Sequence, residues 1–189
     1  MRGSSAGMAD VLFPVPFDAD LLPFVAGFDC GPDPWEQEPS HWIQEHALEA
    51  IALGTKVWLY MNQQDLVVGF SSLDVSKSLL RYPTPKSPRV PVLVIPELGL
   101  KKEFKGEPKA ERTSDPNTDG RYSSQIMRHL LDNAHQWQGN MQAVSLYVDP
   151  RNVAAIRLYQ RFGFASYGDP YKEPHTGISY DRYAVRLAR

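Results

Sequence analysis

The chain is poor in cysteine. Cys30 stands alone among 189 residues, so no disulfide can form within it. A lone thiol fits a reducing, cytoplasmic setting. No paired base accompanies it in the sequence, so Cys30 reads as a buried structural thiol rather than a nucleophile. Long apolar runs are also missing. Nothing approaches the roughly 18 residues that span a membrane, and the leading MRGSSAG lacks the apolar core of a secretory signal. Residues 1–7 read instead as an expression leader, and residues 8–189 as one domain. Surplus charge is absent too. Lys+Arg is 20 against Asp+Glu 22, which removes any global pull toward nucleic acid or anionic membrane. The five histidines show no H-E-x-x-H or paired spacing, so no metal site is expected. His41 and His46 read as solvated helix residues.

What is present is an alternation of periods. Residues 18–28 suggest a short helix or turn. Residues 39–53 suggest a helix, with Ser40 as N-cap and Gly54 as stop. Lys56–Met61 and 65–73 read as a hairpin. Residues 90–100 (VPVLVIPELGL) form the strongest strand signal, and Pro96 within it implies a bulge or an edge. Residues 101–120 form a long polar stretch, expected to be functional or mobile. Residues 123–137 read as an amphipathic helix, Ala143–Val148 as a buried strand, 152–162 as a helix, and 164–167 and 179–187 as closing strands. That order predicts an α/β (α+β) domain: a mixed central sheet of about six to seven strands, flanking helices and at least one parallel crossover.

Within that order the pattern N-x-x-A-x-x-L-Y-x-x-x-G-F occurs at Asn152, Ala155, Leu158, Tyr159, Gly163 and Phe164. It follows a strand ending in Val148-Asp149-Pro150. This resembles the GNAT superfamily of acetyl-CoA-dependent N-acetyltransferases. FDCG at 28–31, VVGFSSL and PVLVIPELGL are similar, more weakly, to a GNAT branch that includes toxins acetylating aminoacyl-tRNA. The resemblance covers the chain from about Phe28 onward. It implies a splayed parallel strand pair holding acetyl-CoA, no metal, and a small-molecule or protein amine as acceptor. A tRNA acceptor is disfavoured by the balanced charge. GNAT domains often pair, so a homodimer is compatible with it.

The resemblance also implies the site. The family's pyrophosphate turn, R/Q-x-x-G-x-G/A, falls here on Asp119-Gly120-Arg121-Tyr122-Ser123-Ser124, with both inner glycines replaced by Tyr122 and Ser124, as though about a dozen residues were inserted before Gly120. A helix N-terminus there would offer N–H groups to an anion, with Arg121 adding charge and Ser123 or Ser124 a hydroxyl. Ser123 as a simple N-cap explains the same residues. The pantetheine arm would pair with backbone at Leu98, Gly99 and Leu100. Tyr159 is the candidate acid for the leaving thiolate, against the alternative of a core aromatic beside Leu158 and Phe162. Asn152 suffices as an N-cap, and the resemblance gives it a cofactor contact as well. Glu97 is the candidate general base, against a solvated or salt-bridged glutamate; Asp149 and Glu103 follow. Three functions are therefore expected in turn: direct acetyl transfer to a primary amine in a ternary complex, a toxin acting on aminoacyl-tRNA, and a GNAT-fold binding module without activity.

Overall fold

The computed structural model describes residues 10–77, 79–82, 84, 86–107, 115, 118–137, 139–174 and 177–187. The leader at 1–7 and part of the expected long loop at 101–120 (108–114, 116 and 117) lie outside the described residues.

The first strand, β1 (Phe13–Pro16), leads through a 3-10 turn into the short α1 (Leu22–Val25) and then α2 (Pro34–Glu45) and α3 (Ala47–Ala52). The helix expected over 39–53 is thus two helices, and it starts earlier. Asp33 and Glu36 form a reciprocal capping box with Pro34 in the first turn, which satisfies the orphan N–H groups of that end. Ser40 lies inside α2 and donates to the Glu36 carbonyl at 2.7 Å, so it is not an N-cap.

β2 (Lys56–Met61) and β3 (Val67–Val75) make the expected antiparallel hairpin. The 90–100 run is broken into β5 (Arg89–Val90), β6 (Val92–Val94) and β7 (Leu98–Leu100); β4 (Leu80–Arg81) pairs with β5 in a small separate sheet. Then follow α4 (Tyr122–His135), β8 (Ala143–Val148), α5 (Val153–Arg161), β9 (Ala165–Ser166), β10 (Tyr171–Lys172) and β11 (Ser179–Arg186).

Among the described residues nine strands join the main sheet, in the order β1-β2-β3-β6-β8-β11-β10, with β7 on β3 and β9 on β11. The count exceeds six to seven because β1, β9 and β10 are only two to four residues long. β1 carries Pro14 and Pro16, which an edge strand tolerates because one side needs no ladder bond. The fold class is the expected mixed α+β, mostly antiparallel, with one parallel pair, β6 with β8.

Alternation along β2 and β3 divides the core between the two faces of the sheet. Val57, Leu59 and Phe70 face Phe28, Ile43 and Ala47, while Trp58, Tyr60 and Leu73 join Ile126, Met127, Leu130 and Tyr159. Each such large apolar side chain contributes about 1.5–3 kcal/mol on burial.

Candidate active site

The sheet splits where β6 ends. The Ile95 N–H still reaches the Ser145 carbonyl at 2.9 Å. Beyond it the chain swings away: β7 pairs with β3 only, while β8 runs on to Val148. Ser72 holds the swing. Its hydroxyl accepts from the Glu97 N–H at 2.8 Å and donates to the Glu97 carbonyl at 2.9 Å. Pro96, which has no N–H to donate, lies at the break.

Two cavities open along this split. One, of about 530 Å³, lies between Glu97–Leu98 and Leu146–Asp149. The other, of about 570 Å³, is bounded by Gly99, Leu100, Arg121 and Ser123. Trp35, Pro39, Leu98, Asn152 and Tyr159 line both, so the two spaces meet at Tyr159. Their charges are opposite. The first is lined by Glu38, Glu97, Asp149 and Glu173 and by no Lys, Arg or His among the described residues. The second is lined by Lys105, Arg121, Arg157 and Arg161, against Glu36 alone.

On the acidic side, the Glu97 carboxylate has no hydrogen bond or ion pair to any described residue; the salt-bridged alternative is not what is observed. Burial, and then the charge of Glu38, push it up to about 8. Tyr159 is buried, and its ring lies 5.8 Å from that of Phe164. Burial, then the Glu97 charge, hold its phenol well above the ordinary value, so it stays protonated. Asp149 is paired by Arg151 through bonds of 2.9 and 2.6 Å, which hold it low against its burial. Asn152 caps α5, its side chain accepting from the Ala155 N–H at 3.1 Å.

On the basic side, Asp119 is fully buried and ties the wall together. It accepts from Arg121 at 2.6 Å, Arg161 at 2.6 Å and the Ser124 hydroxyl at 2.9 Å. Burial alone would raise it, but those bonds keep it below the usual carboxylate range. The second cavity suits a polyphosphate: its walls carry four cations, of which Lys105 is paired with Glu36 while Arg121 and Arg161 share Asp119. A Cβ on Gly99 would fall 2.4 Å from the Phe70 ring and 3.0 Å from the Cys30 sulfur. Cys30 itself is buried, with its thiol pushed up to about 11.

Residues 119–164 match the acetyltransferase (GNAT) family. A bacterial toxin superposes with a TM-score of 0.66 at 16% identity, covering 94% of this chain and 91% of that one. The spermidine/spermine N-acetyltransferase SpeG from Vibrio cholerae, in complex with manganese ions, gives 0.60 at 13% identity, with 95% of each chain covered. A mutant of the toxin AtaT, bound to the C-terminus of the antitoxin AtaR and acetyl-CoA, gives 0.59 at 13%, with 94% of each covered. No curated protein sequence matches.

The fold is that of the GNAT acetyltransferases.

Seen in the GNAT frame, the expected residues divide. Tyr159, Asn152, Leu98 and Glu97 surround the junction, and Gly99, Leu100, Arg121 and Ser123 line the basic cavity. Tyr122 and Ser124 line neither. The Tyr122 hydroxyl bonds Asp10, its ring packs against Phe104 at 5.8 Å, and its backbone N–H donates to the Glu107 carbonyl at 3.0 Å. Ser123 is the second residue of α4, not its N-cap; Arg121 holds that position and gives no side-chain cap. Glu103 is exposed beside Lys101. Sequence reasoning missed Trp35, Glu38, Arg157, Arg161, Glu173 and Tyr180. Only Trp35 carried a local signal, within the capping box Asp33-Pro34-Trp35-Glu36. His41, Glu45 and His46, exposed at the C-terminal end of α2, bring ligand atoms within 4.8 Å of one another, and His41 and Glu45 pair at 3.2 Å.

Proposed function

We propose that the protein is an acetyl-CoA-dependent N-acetyltransferase acting directly on a primary amine. The observation that carries this reading is the pair of oppositely charged cavities meeting at Tyr159. Acetyl-CoA supplies an activated acyl carbon and a thiolate leaving group. Lys105, Arg121, Arg157 and Arg161 offer cations to its phosphates, Arg121 and Arg161 being held in place by Asp119. The edge of β7 offers backbone to the pantetheine arm.

Glu97 takes a proton from the acceptor amine as the N–C bond forms. Its raised affinity for protons suits a base working near neutrality. Tyr159 gives a hydrogen bond, then its proton, to the sulfur as the C–S bond breaks. Transfer leaves Glu97 protonated and Tyr159 ionised with the net charge unchanged, and passage of that proton from Glu97 to Tyr159, through water, restores the starting state once the amide and free thiol have left. Asn152 fixes the start of α5 and hence where Tyr159 points. The aminoacyl-tRNA reading gains nothing from the acceptor side, whose lining has no Lys, Arg or His among the described residues to meet a polyanion.

Two measurements test the proposal. Calorimetry should give saturable acetyl-CoA binding. Tyr159→Phe should lower turnover about tenfold or more with little change in acetyl-CoA affinity. A variant with the parent's rate would remove Tyr159 from the chemistry, and absence of acetyl-CoA binding would defeat the proposal as a whole.

A further inference from the structure

The acetyltransferase reading leaves the acceptor unspecified, and the acidic cavity narrows it. Of its four carboxylates, Asp149 is neutralised by Arg151. Among the described residues Glu97 has no hydrogen bond or ion pair, and the exposed Glu38 receives one long bond of 3.4 Å, from the Tyr180 hydroxyl. The carboxylates act on one another: Glu38 is raised by burial and then by the charges of Glu173 and Asp149, and Glu97 by burial and then by Glu38. A cation entering this space relieves both burial and repulsion. The rest of the wall is mostly apolar and in part aromatic. Trp35, Tyr147, Tyr171 and Tyr180 line it, and the Tyr147 and Tyr171 rings are 5.3 Å apart. Ring faces of this kind favour alkylammonium groups. Two of these rings already carry a guanidinium, Arg182 at 5.8 Å from the Tyr147 centroid and Arg151 at 5.0 Å from that of Trp35.

We infer that the acceptor is an aliphatic amine bearing a second positive charge, a diamine or polyamine chain. Its reacting nitrogen lies at Glu97 and Tyr159, and its second ammonium beside Glu38 and the Tyr180 ring. A cavity of about 530 Å³ has room for such a chain. Glu97 serves the nitrogen that must lose a proton. Glu38, which touches no reacting atom, sets the preference for a charged tail. The inference rests on the acetyltransferase reading and adds the class of acceptor.

The experiment compares 1,4-diaminobutane with 1-butylamine, which differ only in the second ammonium, with aminoacyl-tRNA as a third arm. The diamine should show a kcat/KM at least tenfold higher at low salt. Added salt should shrink that ratio, and Glu38→Gln should cut it by at least fivefold. Equal values for the two amines, or a preference for aminoacyl-tRNA, would overturn the inference and leave acetyl transfer standing. Calorimetric titration of the protein with 1,4-diaminobutane needs no turnover. Saturable binding that weakens in Glu38→Gln supports the inference, and no binding overturns it. Acetyl-CoA binding, measured separately, reports on the parent reading.

Discussion

Replacing Glu97 by glutamine removes a half-buried carboxyl group while keeping its shape, and the consequences can be worked out in sign and size. The folded carboxyl titrates at about 8 against an ordinary 4.5. Between those values the folded protein keeps a proton that the unfolded chain has released. Its contribution to stability is therefore complete below 4.5 and is lost as pH rises through 8. At 1.36 kcal/mol per pH unit the full loss is ~5 kcal/mol, of which ~3 kcal/mol has gone by pH 7. Water in the cavity lowers both figures. Glu97→Gln cannot ionise and escapes this loss. Urea unfolding from about pH 5 to about pH 9 should show the variant gaining on the parent by about 2 kcal/mol or more, with m-values unchanged. The parent's kcat/KM should rise with an apparent value near 8, and that limb should vanish in the variant along with most of the activity. A stability gap that stays flat across this range would mean that Glu97 is an ordinary solvated carboxylate, and its role as base would fall with it.

Three further outcomes are expected. Gly99→Ala should cost about 1–3 kcal/mol in urea unfolding, because its Cβ meets the Phe70 ring at 2.4 Å, and should weaken acetyl-CoA binding in calorimetry. Asp119→Asn should lose about 2–4 kcal/mol by stranding Arg121 and Arg161 and should raise the acetyl-CoA dissociation constant; since Asp119 is held below its ordinary 3.8, the loss is full above that pH and parent and variant converge in acid. Cys30, with its thiol pushed up to about 11 and its side chain buried, should react with a disulfide reagent at pH 8 about tenfold or more slowly than a free thiol, whereas the urea-unfolded chain should react at the free rate.

Local pattern carried the sequence a long way. The strand Ala143–Val148, the Asn152 cap, the α5 helix and Gly163 at φ +82° are all short-range features. Each depends on residues within one turn or one pleat. The break in 90–100 was legible from Pro96 for the same reason. The start of α2 was legible in principle, as Asp33-Pro34-x-Glu36, but the apolar period was followed instead and placed the helix five residues late.

The charged walls were not legible in that way. Asp119 reaches Arg161 across 42 positions, and Glu38, Glu97, Asp149 and Glu173 come from four separate segments. A net charge of −2 conceals both walls, because a sum discards position. Tyr122 and Ser124 show the converse: their sequence position suggested a phosphate turn, yet neighbours at Asp10, Glu107 and Asp119 claim their polar groups. The sequence alone determined the elements, their order and the family resemblance, since propensity, capping and periodicity act over a few residues. The tertiary structure alone decided which charges face each other across the split sheet, because only there do distant carboxylates and guanidiniums come close enough for Coulomb forces and burial to act on them.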